Sequence, residues 1–172
     1  MPPSAWGSFR TDHPERWFAW PEFLRAAHAL EDTLWPCRII MGAAHLRGAD
    51  LQRVLSLLPT SSPPIPYRLC TPQEALFVKY ATNAIHAVNV GLANELAEWG
   101  RSMGIDWNAL VPPLAEGSDT LPSNIRVTEA GGFDGGCLPK DVAALVCRGG
   151  DGLPILMACH KANRERRPDA YA

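Results

Sequence analysis

One long amphipathic helix is the strongest constraint that this sequence places on its fold. Between Pro72 and Gly100, apolar residues recur at steps of three and four, which predicts a helix with a continuous apolar face. Thr71 is a suitable N-cap, and Glu74 follows three residues later, as in a capping box. The apolar face is longer than one small domain can cover, so we expect a homodimer in which the 72–100 helix packs against its copy. The apolar positions are Val78, Ala81, Ile85, Val88, Leu92, Leu96 and Trp99.

A second, polar stripe runs beside the apolar one at the same helical spacing. It consists of Lys79, Asn83 and His86. A lysine and an asparagine one turn apart at the edge of a buried face can form the wall of a site. The alternative is that both are simply solvated, which is the commoner situation for these residue types. The ordinary pKa of histidine would also suit His86 as a proton carrier.

A glycine-rich segment, residues 131–141, has the sequence GGFDGGCLPKD. Its four glycines allow the backbone to approach a bulky group closely. Cys137 comes where Pro139 indicates that a helix begins, and a helix N-terminus favours the thiolate form of a nearby cysteine. This pattern predicts a reactive thiol, and a buried structural cysteine beside a glycine turn is the alternative.

The composition excludes several classes of protein. A net charge of −2, with both signs mixed, gives no reason to expect nucleic acid or an anionic membrane as a partner. No apolar run approaches the roughly 20 residues that cross a bilayer, and the polar first residues do not resemble a signal peptide, so we expect a cytoplasmic protein. The five cysteines form no CxxC pair and the histidines lack ligand spacing, which predicts reduced thiols and no metal site.

The other predicted elements are short, so the chain is expected to be mainly helical with one to three short strands. Pro112 and Pro113 are expected to end one of the helices, and Ile155 and Leu156 to form the apolar face of the last one. Strands are predicted at 38–42 and 67–70, and helices at 50–58, 107–111, 140–148 and 154–164.

Several motifs occur in an order that carries a family resemblance. They are Pro21 to Arg25, Glu74-Ala75, Lys79-Tyr80 with Asn83, Ala93 to Leu96, and Gly132 to Asp141. Over roughly residues 20–165 the chain resembles the UDP-glucose and GDP-mannose dehydrogenases, from the end of their N-terminal domain to the start of their connecting helix.

The resemblance implies a division of the chain into four segments that pack as one compact unit. Residues 1–19 would form an irregular Trp-rich arm, and 20–70 would be the remnant of a Rossmann-type domain. Residues 71–150 would be the helical dimerisation and catalytic domain, and 151–172 the connecting helix with a basic tail.

The resemblance also implies a covalent mechanism. Members of this family oxidise the C6 alcohol of a nucleotide sugar twice with NAD, through a thiohemiacetal and then a thioester on the cysteine. On this chain Cys137 would be the nucleophile, Lys79 would stabilise the oxyanion, and Asn83 would be the hydrogen-bonding partner of Lys79. Asp141 would handle or orient the hydrolytic water.

The same resemblance implies which residues bind the substrate. Phe23 and Leu24 would contact the nucleotide sugar through their backbone. The glycines around Phe133 would admit the sugar. The remaining expected substrate contacts are Gly132, Phe133, Gly135 and Lys140.

The chain departs from the family pattern at four points. The GxGxxG motif of the NAD-binding domain occurs nowhere in the sequence, and we expect the C-terminal nucleotide-binding domain to be missing as well. Ala26 stands where the family has an acidic residue, and Asp134 stands in place of a glycine. We therefore expect no NAD bound by this chain alone.

Three functions follow as hypotheses. In the first, the chain is a truncated, dehydrogenase-like enzyme that uses Cys137 on a nucleotide-sugar or nucleoside-like substrate without its own NAD site; hydrolysis, isomerisation and elimination are open. In the second, it is a subunit of a split UDP-sugar dehydrogenase, and a separate Rossmann-domain protein supplies NAD. In the third, it is a non-catalytic dimeric scaffold.

Overall fold

The structure is a computed structural model that describes residues 18–58, 65–116, 127–129 and 131–171. Most of the predicted Trp-rich arm, residues 1–17, lies outside this range. The expectation of a mainly helical fold with a small sheet is confirmed. The helices are α1 (Ala29–Leu34), α2 (Gly48–Leu55), α3 (Pro72–Ser102), α4 (Trp107–Ala115), α5 (Leu138–Gly149) and α6 (Pro154–Arg166). Among these helices, none is both long and apolar enough to cross a membrane.

The described residues fall into two compact units, with the boundary after residue 81, inside α3. The N-terminal unit contains a two-stranded parallel sheet of β1 (Ile39–Met41) and β2 (Tyr67–Leu69), joined through α2. Ile39 pairs with Tyr67 and Met41 with Leu69. Both predicted strands are thus present, and the buried residues of β1 pack against α2 to form the core of this unit.

The start of α3 has the predicted capping box. The Thr71 N–H donates to Glu74 Oε2 at 2.8 Å, and the Glu74 N–H donates to Thr71 Oγ1 at 3.3 Å. These two bonds satisfy N–H groups that a helix start otherwise leaves without partners. The helix extends two residues beyond the predicted end at Gly100.

The two faces of α3 differ in the size of their residues. Small side chains are buried, among them Ala75, Ala87, Ala93 and Ala97. Several of the large apolar residues of the predicted stripe are exposed instead. They are Ile85 at 63%, Leu92 at 53%, Leu96 at 36% and Trp99 at 64% exposure. Small inward residues allow neighbouring elements to approach the helix closely, and the large outward residues leave an apolar surface.

Two expectations about the shorter helices are wrong. Pro112 and Pro113 do not end α4, which continues to Ala115. The prolines remove two N–H donors, but their fixed φ suits a helix, and the Asp106 side chain caps the start by accepting from the Asn108 N–H at 3.0 Å. In α6, Leu156 is buried as expected, whereas Ile155 is 74% exposed.

The core of the C-terminal unit joins three helices and the glycine loop, which we define as residues 131–137. Its buried members are Ala87 of α3, Phe133 of the loop, Val142 of α5 and Leu156 of α6. Phe133 is 1% exposed, so the loop is anchored by a large aromatic side chain. This anchor fixes the segment that leads into α5.

A close backbone contact at Gly42 generates the first prediction. A Cβ at this position would lie 2.5 Å from Pro72 Cα, which belongs to the backbone at the start of α3. Replacing Gly42 by alanine (Gly42→Ala) should therefore lower the free energy of unfolding by about 1–3 kcal/mol. Urea denaturation followed by circular dichroism measures the change.

The matched control is Gly152→Ala, because a Cβ on Gly152 would meet nothing within 4 Å. Equal stability of the two variants would show that the Gly42 contact is not tight in solution.

Candidate functional site

Cys137 lies at the junction of the glycine loop and α5. It is the N-cap residue of α5, its side chain is exposed, and its carbonyl accepts the Asp141 N–H at 2.9 Å. Gly131 and Gly135 have φ values of 76° and 81°, which side-chain-bearing residues rarely adopt. The loop therefore needs these glycines to present an exposed thiol at the start of a helix.

A buried carboxylate lies one helical turn after this thiol. Asp141 is 3% exposed, and its Oδ2 accepts a hydrogen bond from Asn83 Nδ2 at 2.6 Å. Its Oδ1 pairs with the ammonium group of Lys140. Burying a carboxylate without partners is costly, so the contacts with Asn83 and Lys140 satisfy both oxygens of Asp141 and hold it in place. The structure thus brings Asn83, Lys140 and Asp141 together beside the residue that was expected to be the nucleophile.

Cys159 of α6, a second thiol of the C-terminal unit, has a very different environment. Burial raises the pKa of the Cys159 thiol to about 11, with a smaller contribution from Glu95. Its thiol donates to the Ala87 carbonyl at 3.6 Å. Because only the thiolate is strongly nucleophilic, Cys159 remains an unreactive structural residue near neutral pH.

Lys79 belongs to a separate group of residues in the N-terminal unit. Its Nζ donates to Glu22 Oε1 at 2.9 Å and lies 5.7 Å from the centre of the Phe23 ring. Arg38 approaches the same ring, with its Cζ 4.7 Å from the centre. The Lys79 side chain is only 16% exposed, so its ion pair with Glu22 is stronger than one at an open surface.

The segment around Phe23 also borders a cleft. This cleft of about 620 Å³ lies between residues 20–25 and 31–39 and is of the size that holds small molecules. Hydrogen bonds from Arg25 brace its wall and lower the pKa of Asp32 to about 2. The Leu24 N–H donates to Glu22 Oε2 at 2.7 Å, so this backbone donor is already used within the protein.

Two residues in these arrangements were not singled out by the sequence. Glu22 pairs with Lys79. The family resemblance assigned roles to its neighbours Phe23 and Leu24 but none to Glu22. Asn163 of α6 is 2% exposed and bonds to the glycine loop. In the sequence it is a polar residue one turn after Cys159, at the end of the segment from Leu156 that also resembles the family, but no role was assigned to it. His86 is exposed on α3, and its role as a proton carrier stays a prediction.

Comparison with known proteins gives a consistent result. The model of the UDP-glucose/GDP-mannose dehydrogenase family, central domain, matches residues 73–165. A UDP-glucose 6-dehydrogenase of Rickettsia bellii is 30% identical over 149 residues, which are 85% of this chain and 34% of that protein. UDP-glucose 6-dehydrogenase AglM of Haloferax volcanii is 32% identical over 127 residues, 73% of this chain and 29% of that protein.

The likeness extends to solved structures. A UDP-glucose dehydrogenase from Pyrobaculum islandicum superposes with a TM-score of 0.70 at 28% identity, covering 88% of this chain and 34% of that one. The chain therefore spans about a third of the length of the relatives that it matches.

The buried Asn83–Asp141 bond generates the second prediction. The isosteric change Asn83→Asp places two carboxyl groups in contact, so we expect the free energy of unfolding at neutral pH to fall by about 3 kcal/mol. One of the two groups must take up a proton in the folded form. The stability of this variant is then largest at a pH below the ordinary pKa of a carboxyl group, and it is lost as the pH rises above that pKa.

Urea denaturation between about pH 4 and about pH 7 measures this effect, since ordinary carboxyl pKa values lie near 4. Asn89→Asp on the same helix is the control, because no carboxylate bonded to Asn89 is found in the described residues. A variant at position 83 whose stability is unchanged across this range would contradict the buried contact.

Proposed function

Because this chain belongs to the UDP-glucose/GDP-mannose dehydrogenase family, we propose that it uses Cys137 as a covalent nucleophile on the sugar part of a nucleotide sugar. One observation carries the proposal: an exposed thiol at the start of α5 lies one turn before a buried carboxylate that Asn83 holds in place. A structural cysteine needs neither exposure nor such a neighbour.

The proposed step is addition of the Cys137 thiolate to the carbonyl carbon of a sugar C6 aldehyde. A carbon–sulfur bond forms, the π pair of the carbonyl moves to its oxygen, and that oxygen takes a proton to give a thiohemiacetal. The thiol proton passes to solvent. No electrons are gained or lost overall, so this step needs no oxidant, and Asp141 would orient a water molecule beside the adduct.

In the part of the chain that the structure describes, the turns that follow the two strands do not fit NAD. A dinucleotide is normally held by a glycine-rich turn between a strand and a helix. Here β2 passes through Cys70 and Thr71 directly into α3, and β1 is followed by one glycine, with α2 beginning only at Gly48. The proposed chemistry therefore contains no hydride transfer on this chain.

A split dehydrogenase is the second candidate function. The observation that favours it is the family match over residues 73–165 in a sequence that contains no GxGxxG motif. In that case a second protein would bind NAD and oxidise the thiohemiacetal, while this chain would supply the thiol and part of the sugar site.

We also propose that the chain is a homodimer. Ile85, Leu92, Leu96 and Trp99 follow one another at steps of seven, four and three, so they form one seam along α3. All four are exposed in the single chain. An apolar seam of this kind is favourably buried against a second copy of itself around a two-fold axis.

The third prediction tests the covalent site by ligand protection. A UDP-sugar carrying a C6 aldehyde, at about ten times its dissociation constant, should slow alkylation of Cys137 by iodoacetamide about tenfold. Alkylation of Cys147, an exposed thiol on α5, should not change and serves as an internal control. Peptide mass spectrometry measures both rates in the same sample.

Protection that appears only after NAD and a Rossmann-domain protein are added would favour the split enzyme. Equal alkylation of Cys137 and Cys147 under every condition would reject the covalent function.

The fourth prediction concerns the apolar seam. Leu92→Lys should convert a dimer into a monomer at micromolar concentration, because a charge replaces a residue that would be buried between the copies. Sedimentation equilibrium measures the mass. Ile155→Lys is the control, since Ile155 is likewise an exposed apolar residue, at 74%, that belongs to α6 and is not one of the four seam residues. A monomeric mass for the unmodified chain would contradict the dimer.

A further inference from the structure

The backbone of the glycine loop is held by side chains from other segments. Thr128 Oγ1 donates to the Gly132 carbonyl at 2.5 Å. The Phe133 N–H donates to Asn163 Oδ1 at 2.8 Å, and the Phe133 carbonyl accepts from Asn163 Nδ2 at 2.9 Å. Both polar backbone groups of Phe133 are therefore satisfied by one side chain, much as a neighbouring strand would satisfy them.

Asn163 is well placed to be a rigid partner. It lies on α6 and is 2% exposed, so its amide has little access to water. A buried amide that lost these bonds would be destabilising, which favours the paired arrangement over any other. The hydroxyl of Tyr171 accepts a further bond from Asn163 Nδ2 at 3.2 Å. The Asn163 amide is thus held by Phe133 of the glycine loop and by Tyr171.

The shape of the loop fits this contact closely. A Cβ on Gly132 would lie 2.4 Å from Asn163 Oδ1, a distance that real Cβ atoms do not show. Gly132 is therefore required by the approach of Asn163 to the loop. This is a reason for the glycine that is independent of any sugar.

A second contact from the same end of α6 reaches the loop. Arg167 Nη1 pairs with Asp134 Oδ2 at 3.0 Å, and the Arg167 side chain is 12% exposed. Asp134 is the carboxylate of the glycine loop, and it shares this guanidinium group with Asp169, which pairs with Arg167 Nη2 at 2.6 Å. Asn163 and Arg167 thus hold consecutive residues, Phe133 and Asp134, ahead of the thiol.

We propose that Asn163 is a positioning residue for Cys137. It contacts the loop backbone and sets the direction in which the chain enters α5, and so the place of the exposed thiol relative to the Asn83–Asp141 pair. The Phe133 ring in the core and the Asn163 amide on the backbone fix the same residue from two sides. This inference rests on the proposed function of Cys137, since a position matters only if the thiol reacts.

The variant Asn163→Ala removes both bonds to Phe133. At nearly constant volume, Thr128→Val removes the hydroxyl that donates to the Gly132 carbonyl and lies 3.4 Å from Asn94 Oδ1. Arg166→Met is the matched control, because Arg166 lies in the same helical turn of α6 and pairs with Glu98 instead of the loop. Circular dichroism and thermal unfolding identify variants that remain folded at the assay temperature.

Three quantities are measured on each folded variant. They are hydrogen exchange of the Phe133 amide, the pH profile of alkylation at Cys137 relative to Cys147, and protection of Cys137 by the UDP-sugar aldehyde. For Asn163→Ala we expect Phe133 exchange to accelerate about tenfold or more through loss of its acceptor. The pH profile of Cys137 alkylation should move towards the profile of Cys147, and the aldehyde should protect Cys137 less well.

The variant Thr128→Val should cause a smaller change in the same direction, and Arg166→Met should cause none. A Cys137 profile and aldehyde protection that stay unchanged in Asn163→Ala, despite faster Phe133 exchange, would overturn the positioning role. If the aldehyde fails to protect even the unmodified protein, the proposed function fails. The inference fails with it, because there is then no reacting thiol for Asn163 to position.

Discussion

The buried hydrogen bond between Asn83 and Asp141 is the interaction on which the arrangement of the C-terminal unit depends. A carboxylate that is 3% exposed must have partners, and its main partner comes from a helix 58 residues earlier in the sequence. That requirement joins α3 to the first turn of α5. Since Cys137 begins that turn, the position of the thiol follows from satisfying a buried charge.

Local chemistry in the sequence was enough to predict most of the fold. The capping box of Thr71 and Glu74 acts within a few residues, so no tertiary information is needed to recognise it. The two prolines led to a wrong end for α4. Proline removes backbone hydrogen bonds, which suggests a helix end, but the other residues of α4 keep enough of their hydrogen bonds for the helix to continue.

The candidate site was less predictable than the fold. Cys137 and Asp141 are four residues apart on one helix, so their proximity could be expected from spacing alone. Glu22 and Lys79 are separated by 57 residues, and Phe133 and Asn163 by 30. Such pairs are created by tertiary packing, and no periodicity in one sequence identifies them. The sequence shows each of these polar residues, but it does not show which residue each one contacts.

The size difference between the two faces of α3 has a consequence for how this helix can change in evolution. Ala87 and Ala93 are fully buried, and Gly91 lies so close to Cys159 that a Cβ there would be 3.2 Å from its sulfur. Enlarging any of these positions would push neighbouring helices apart. The bulky outer positions face no such limit within one chain. Sequence drift should therefore be slow on the alanine face and fast on the outer face unless a second molecule constrains it.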